Sequence, residues 1–231
     1  MSACLSPVLE DIFATGLVQK PNGDMLKSVA GVSRENIEAI FRTIVEKKPA
    51  MVIEIGMAYG TSTLAILSAL AHNGKGKLIS IDPYIKWDTG MAVALHQVEK
   101  AGFSALHQHV RKCSQVALAE MWESGFKADF IYIDGYHNVE YVMADTFFSD
   151  KILNIGGTLV FNDCGWRAVH KTVRFLQRHR RYAEEPVLPK AYRGRNFLYS
   201  FAKFVQGRSS NDRYFRKLED WEPDSGFYRD F

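Results

Sequence analysis

Four acidic side chains lie at the ends of apolar runs that predict buried β-strands. They are Glu54, Asp82, Asp134 and Asp163. Ligands of open α/β sheets bind beyond the carboxyl ends of the strands, so these acids are expected at the ligand-binding edge. A carboxylate there can accept hydrogen bonds from a ribose, hold a cation or take part in proton transfer.

A tight turn between Gly56 and Gly60 joins the strand that carries Glu54 to a helix that starts near Thr61. This strand-turn-helix arrangement is where α/β proteins hold a nucleotide. A phosphate loop needs Gly-Lys-Ser/Thr, and a dinucleotide fingerprint needs Gly-x-Gly-x-x-Gly. The turn contains neither pattern, which disfavours a nucleotide triphosphatase and a dehydrogenase.

Asp82 ends the strand that follows this turn. An acid at that location in nucleotide-binding folds accepts hydrogen bonds from the ribose diol. We therefore predict that Asp82 binds a ribose. The alternative is a turn residue in front of Pro83.

Asp134 and Asp163 end two later strands, and Asn162 precedes Asp163. If these strands are neighbours, their ends lie about 5 Å apart, and the two carboxylates can share a cation. Oxygen ligands at a partly open site suit Mg²⁺, and Asn162 offers a further oxygen. The alternative is that both acids cap loops. His137 lies three residues after Asp134 and titrates near about pH 6.5, so it can accept a proton from a substrate.

Strands and helices alternate along the chain from Ser33 to about residue 180. Alternation of this kind predicts an α/β fold, Rossmann-like and doubly wound, with a mostly parallel seven-stranded sheet and helices on both faces. The least regular strand is predicted over residues 103–110. Residues 182–187 and 196–201 are predicted as a closing strand pair.

The composition limits the class of protein further. The net charge of +3 is too small to predict nucleic-acid binding by itself, and a basic helix face at residues 167–178 is expected to be solvated. No apolar run approaches the roughly 20 residues of a membrane span, so we expect a cytoplasmic protein without membrane contact. Three scattered cysteines do not form a disulfide framework, and His107, His109 and Cys113 lack a fourth zinc ligand.

The segment Glu54-Ile55-Gly56, with Gly60, resembles the first motif of the class I S-adenosylmethionine-dependent methyltransferases. Their cofactor carries a carboxylate and a sulfonium but no phosphate, and free amides at a helix start suit the carboxylate. Together with the ribose prediction, the resemblance implies a set of cofactor-binding residues: Glu54, Gly56, Tyr59, Gly60, Ser62, Asp82 and Ser114.

The segments Ile133–His137 and Gly156-Gly157, with Asp163, resemble a metal-assisted O-methyltransferase branch that includes macrocin-type and cephalosporin-hydroxylase-like proteins. The resemblance covers about residues 33–165. It implies that Mg²⁺ is held by Asp134, Asn162 and Asp163, and that His137 is the general base. Asn162 stands where that branch has an acid, so one negative charge is missing.

These observations predict an enzyme that transfers a methyl group from S-adenosylmethionine to a hydroxyl of a small molecule, assisted by Mg²⁺. The alternatives are a metal-independent RNA or protein methyltransferase and a non-catalytic cofactor-binding module. We predict a methyltransferase domain at residues 33–202, an N-terminal segment at 1–32 that covers the substrate, and a tail at 203–231 that forms a lid or an interface in a homo-oligomer.

Overall fold

The computed structural model describes residues 4–28, 32–187 and 212–231. The chain divides into two compact units, residues 1–113 and 114–231. The predicted strand at 196–201 lies outside the described residues. In the described ranges, no helix has the length and apolar character needed to cross a bilayer.

Over residues 4–28 and 32–113, the first unit contains four helices, five strands and a 3₁₀ turn at Ser104–Leu106. The helices are α1 (Pro7–Thr15), α2 (Arg34–Lys47), α3 (Thr61–Asn73) and α4 (Asp88–Lys100). The strands are β1 (Leu17–Gln19), β2 (Met25–Lys27), β3 (Met51–Ile55), β4 (Lys77–Ile81) and β5 (His107–Val110). The 3₁₀ turn takes the first part of the strand predicted at 103–110.

The second unit contains three helices and four strands among its described residues. The helices are α5 (Ser114–Glu123), α6 (Val139–Ile152) and α7 (Arg167–His179). The strands are β6 (Ala128–Ile133), β7 (Leu153–Phe161), β8 (Tyr182–Glu185) and β9 (Arg213–Lys217).

Seven strands form one sheet in the order β5-β4-β3-β6-β7-β9-β8, which confirms the predicted Rossmann-like fold. Strand β4 pairs in parallel with β3 and β5, and β6 pairs in parallel with β7. Within this sheet, the described strand β9 pairs antiparallel with β7 on one side and with β8 on the other. Strands β1 and β2 form a separate antiparallel pair. The β6 and β7 strands are therefore the neighbours that a shared cation site requires.

Strand β9 lies in the segment predicted as a tail. Among the described residues, β8 pairs with β9, and β9 also pairs with β7. Tyr214 and Phe215 of β9 are buried. A strand with neighbours on both sides exposes no free backbone edge, so residues 213–217 are part of the sheet and not of a lid.

The last residues of the chain pack on α7. The ring of His179 contacts those of Phe227, Tyr228 and Phe231, and its Nε2 accepts a hydrogen bond of 3.1 Å from the amide of Arg229. These contacts leave Phe227 and Phe231 half-buried, whereas Tyr228 stays exposed.

The N-terminal segment packs on two helices of the first unit. The amide of Ser6 donates to Ser68 Oγ on α3 at 3.0 Å, and Gln97 Nε2 on α4 donates to the carbonyl of Gln19 at 2.6 Å. Its predicted function as a substrate lid stays a prediction.

Candidate active site

The glycine turn follows β3 in the first unit, as predicted. Gly56 has a φ of 88°, and its amide donates to the carbonyl of Ile81 on β4 at 2.9 Å. Gly60 begins α3 with a φ of 86°. A Cβ atom at Gly60 would lie 3.7 Å from Ala94, which is an ordinary contact. The left-handed backbone, rather than lack of space, therefore favours glycine at position 60.

Glu54 lies at the centre of a buried hydroxyl network beneath this turn. Its side chain is fully buried. Ser62 Oγ donates to Oε1 at 2.6 Å, while Thr63 Oγ1 and Ser80 Oγ donate to Oε2 at 2.7 and 2.6 Å. The carboxylate thus joins β3 to the first turn of α3 and to β4. Glu54 and Ser62, which the sequence predicts to contact the cofactor, hydrogen-bond each other. This contact supports a role of both side chains in shaping the turn.

Asp82 binds the same turn from the end of β4. Its Oδ2 atom accepts hydrogen bonds from the amides of Met57 and Ala58 at 2.9 and 3.2 Å, and Oδ1 accepts one from Tyr84 at 2.9 Å. Asp82 therefore holds the turn in place. Its predicted contact with a ribose stays a prediction.

Aromatic rings surround this part of the first unit. The ring of Trp87 lies 5.0 Å from that of Tyr59 and 5.7 Å from that of Tyr84. Tyr84 is buried, and its hydroxyl donates to the carbonyl of Ala58 at 2.6 Å. The sequence analysis does not assign a role to Tyr84, although its position two residues after Asp82 was a usable signal.

The two histidines of β5 hydrogen-bond residues at the end of β4. His109 Nε2 donates to the carbonyl of Asp82 at 2.9 Å, and His107 Nε2 lies 3.0 Å from Ser80 Oγ. Burial lowers the pKa of His107 to about 4, so its imidazole is neutral at pH 7. Both rings thus help to fix the end of β4.

In the second unit, Ser114 begins α5 and lies near a buried acid of α6. The Ser114 hydroxyl hydrogen-bonds Asp145, whose pKa is raised by burial to about 6. Ser114 also donates to Gln115 Oε1 at 3.3 Å. The predicted contact of Ser114 with the cofactor stays a prediction.

Asp134, His137 and Asp163 come together at the ends of β6 and β7; we call these three residues the acid-histidine cluster. His137 Nε2 lies 3.7 Å from Asp134 Oδ1 and 3.7 Å from Asp163 Oδ2. One potential ligand atom from each residue lies within 4.8 Å of those of the other two. Asp163 follows Asp134 by 29 positions and His137 by 26 positions, and the parallel pairing of β6 with β7 brings it to the other two residues.

The three ionisable side chains of the cluster shift one another's pKa values. Burial raises the pKa of Asp134, and the neighbouring imidazole offsets part of that rise. Burial and the Asp134 charge together raise the pKa of Asp163 to about 6. Burial alone would lower the pKa of His137, but the two carboxylates outweigh it and raise that pKa. Two half-buried carboxylates beside one imidazole therefore favour a positive charge near them.

Aromatic residues lie beside the cluster, and one of them stacks on its histidine. The ring of Trp166 stacks on that of His137 at 5.5 Å and 14°. Trp166 is exposed on its other side, and so is Tyr136, whose ring lies 5.4 Å from that of Tyr141. Asp163 has a φ of 52°, an uncommon backbone conformation that is enriched at functional sites.

Asn162, the third metal ligand predicted from the resemblance, binds another carboxylate. Its Nδ2 atom donates to Asp212 Oδ1 at 2.8 Å, and the Tyr132 hydroxyl donates to Asp212 Oδ2 at 3.3 Å. Asp212 lies directly before β9 and is buried, and this burial raises its pKa well above the ordinary value. The sequence analysis missed Asp212, because 50 residues separate it from Asn162.

Comparisons with known proteins agree with this architecture. Residues 53–164 match the family model described as a methyltransferase domain. No curated protein matches the sequence.

Solved structures with a similar fold include several O-methyltransferases. One from Bacillus cereus, in complex with S-adenosylhomocysteine, is 15% identical with a TM-score of 0.61, over 77% of this chain and 82% of that one. TomG from Streptomyces achromogenes, involved in tomaymycin synthesis and in complex with S-adenosylmethionine, is 12% identical with a TM-score of 0.58, over 82% of each chain. A protein from Klebsiella pneumoniae, named as an O-methyltransferase, is 12% identical with a TM-score of 0.66, over 92% of this chain and 90% of that one.

At these identities the solved structures establish the fold, and the family match adds the methyltransferase domain. Both agree with the glycine turn and with the absence of a phosphate-binding pattern. Residues 53–164 thus match a methyltransferase domain, within a fold that is shared with O-methyltransferases solved with S-adenosylmethionine or S-adenosylhomocysteine.

Proposed function

We propose that this protein transfers the methyl group of S-adenosylmethionine to a hydroxyl group of a small molecule, with the help of a divalent cation at the acid-histidine cluster. The observation that carries the proposal is the cluster itself, two carboxylates and an imidazole at the ends of two adjacent parallel strands. O-methyltransferases among the structures of similar fold support the choice of oxygen as the acceptor atom.

The residues of the cluster suit a bound cation. His137 Nε2 is buried and has no hydrogen-bond partner among the described residues, although it faces two carboxylates. A cation supplies the missing positive charge, and when bound it would lower the pKa of an acceptor hydroxyl and orient its oxygen. Asp134 and Asp163 present the oxygen ligands that the sequence predicts.

The reaction places few demands on the protein beyond positioning. The acceptor oxygen forms a bond to the methyl carbon while the bond from that carbon to sulfur breaks, and the hydroxyl proton leaves. The amides at the start of α3 would hold the cofactor carboxylate. His137 is the predicted proton acceptor, a role that requires the lone pair of Nε2 to be free.

Calorimetric titration with S-adenosylhomocysteine tests the cofactor first, because it needs no acceptor. Methyl transfer from labelled S-adenosylmethionine is then measured on small alcohols, phenols and sugars, with amines, RNA and protein in parallel. We expect label on oxygen, loss of transfer in Asp134→Asn and Asp163→Asn, and normal transfer in Glu123→Gln, which removes an exposed acid. Label on nitrogen, RNA or protein would contradict the proposal, and so would cofactor binding without transfer to any acceptor.

A further inference from the structure

The His137 imidazole lies too far from both carboxylates to hydrogen-bond either of them. It is nevertheless close enough for the charges of the three side chains to interact. Its Nε2 atom is 3.7 Å from Asp134 Oδ1 and 3.7 Å from Asp163 Oδ2. Hydrogen bonds between an imidazolium and a carboxylate are about 2.7 to 2.9 Å long. A protonated histidine paired with either acid would therefore lie almost an ångström closer.

The same distances fit ligands that share one cation. Two metal-ligand bonds of about 2.1 Å separate their ligand atoms by roughly 3.5 Å at a tetrahedral angle and by roughly 3.0 Å at a right angle, so the observed 3.7 Å lies slightly outside the tetrahedral spacing. All three potential ligand atoms also lie within 4.8 Å of one another. A cation placed among them would coordinate Nε2 as well as both carboxylates after small side-chain movements.

The surroundings of the cluster favour the imidazole over the Asn162 amide as the third ligand. Trp166 stacks on the imidazole and restricts rotation of its plane, with Nε2 directed at the acids. The nitrogen of the Asn162 amide instead donates to the buried Asp212. The nitrogen ligand is thus held at the cluster, while the Asn162 side chain is tied through its amide nitrogen to Asp212.

We infer that His137 is a metal ligand and that Asp134, His137 and Asp163 together hold a first-row transition-metal dication in preference to Mg²⁺. Imidazole suits Fe²⁺, Ni²⁺, Cu²⁺ and Zn²⁺, whereas Mg²⁺ prefers a shell of oxygen ligands and water. Mn²⁺ also prefers oxygen ligands and is the weakest binder among the transition dications, so a preference for Mn²⁺ over Mg²⁺ is a strict test of the nitrogen ligand. The inference rests on the proposed function in one respect, namely that the bound cation would activate the acceptor hydroxyl.

This ligand role excludes the predicted base role of His137. One lone pair on Nε2 cannot coordinate a cation and accept a proton at the same time. With Nε2 coordinated, lowering of the hydroxyl pKa by the cation allows the proton to leave to solvent water.

Mn²⁺ is a suitable probe because its binding and its ligand atoms can be read by electron paramagnetic resonance without any acceptor. We expect the full-length protein to bind Mn²⁺ at least about tenfold more tightly than Mg²⁺, which is measured by competition. Pulsed measurements on the Mn²⁺ complex should show modulation from a directly coordinated ¹⁴N nucleus. His137→Gln should remove this modulation and weaken Mn²⁺ binding by at least about tenfold.

Two further variants separate the ligand role from other effects. His170→Gln removes an exposed histidine of α7 and should leave both the ¹⁴N signal and the Mn²⁺ affinity unchanged. His137→Asp replaces nitrogen by oxygen and should shift the preference toward Mg²⁺. S-adenosylhomocysteine titrations of each variant report whether the cofactor site is intact.

An unchanged Mn²⁺ affinity in a folded His137→Gln variant that has lost methyl transfer would overturn the inference and favour the base role. Absence of Mn²⁺ binding to the unmodified protein would overturn it as well. A protein that binds Mn²⁺ through nitrogen but methylates no hydroxyl would contradict the proposed function and leave the ligand assignment standing.

Discussion

Replacement of Glu54 by glutamine tests the buried hydroxyl network under the glycine turn. Three hydroxyls donate to this carboxylate over 2.6 to 2.7 Å. Glutamine has nearly the same size, but one of its two polar atoms is an NH₂ group that cannot accept a hydrogen bond. Whichever way the amide is turned, at least one hydroxyl loses its carboxylate acceptor.

The expected cost follows from these contacts. An unsatisfied buried polar group costs about 1 to 3 kcal/mol, and each remaining bond weakens by about 1 kcal/mol when a charged acceptor becomes neutral. The lower cost of burying a neutral side chain offsets part of this loss. We expect Glu54→Gln to lower the free energy of unfolding by about 2 kcal/mol.

Urea unfolding at pH 7, followed by circular dichroism, measures this change. Glu46→Gln is the matched control, because Glu46 is exposed on α2, and it should shift the unfolding free energy by less than about 0.5 kcal/mol. Weaker binding of S-adenosylhomocysteine to Glu54→Gln should accompany the loss of stability. If Glu54→Gln unfolds like the control and binds the cofactor normally, the network does not hold the turn.

Two further predictions concern stability. Gly76→Ala should destabilise the protein by at least about 2 kcal/mol in urea unfolding, because φ is 99° and the added Cβ would lie 2.7 Å from the carbonyl oxygen of Pro49. Gly74→Ala is the control, because Gly74 also has a positive φ, of 65°, but no atom lies within 4 Å of the added Cβ. If Gly74→Ala lowers the free energy of unfolding as much as Gly76→Ala does, the steric argument is refuted. The pKa of Asp145 is about 6 in the folded state and about 3.9 in the unfolded state. The free energy of unfolding should therefore fall by about 2 to 3 kcal/mol as the pH rises from 4 to 7, because the unfolded state releases this proton more readily. Asp145→Asn should flatten this part of the pH profile of the unfolding free energy, whereas the exposed Asp11→Asn should not; an unchanged profile in Asp145→Asn would contradict the assignment.

The sequence by itself determined the fold class and the location of the candidate site. Apolar strands that end in acids alternate with helices, and that local pattern predicts a sheet whose carboxyl ends carry Glu54, Asp82, Asp134 and Asp163. The structure confirms the Rossmann-like sheet and the adjacency of β6 and β7. The alternation of strands and helices depends on short-range periodicity, which is visible in a single sequence, whereas the adjacency of β6 and β7 was a condition of the shared-cation prediction.

Only the tertiary structure decided which side chains face each other. Asp212 reaches Asn162 because β9 inserts beside β7, and nothing near either residue in the sequence predicts that pairing. The insertion of β9 also moves residues 213–217 from a predicted tail into the sheet. Likewise, the position of His137 Nε2 between two carboxylates depends on how the loop after β6 packs under Trp166. Strand pairing and loop packing depend on contacts between distant parts of the chain, so residue spacing could place the acids but could not assign the direction of each side chain.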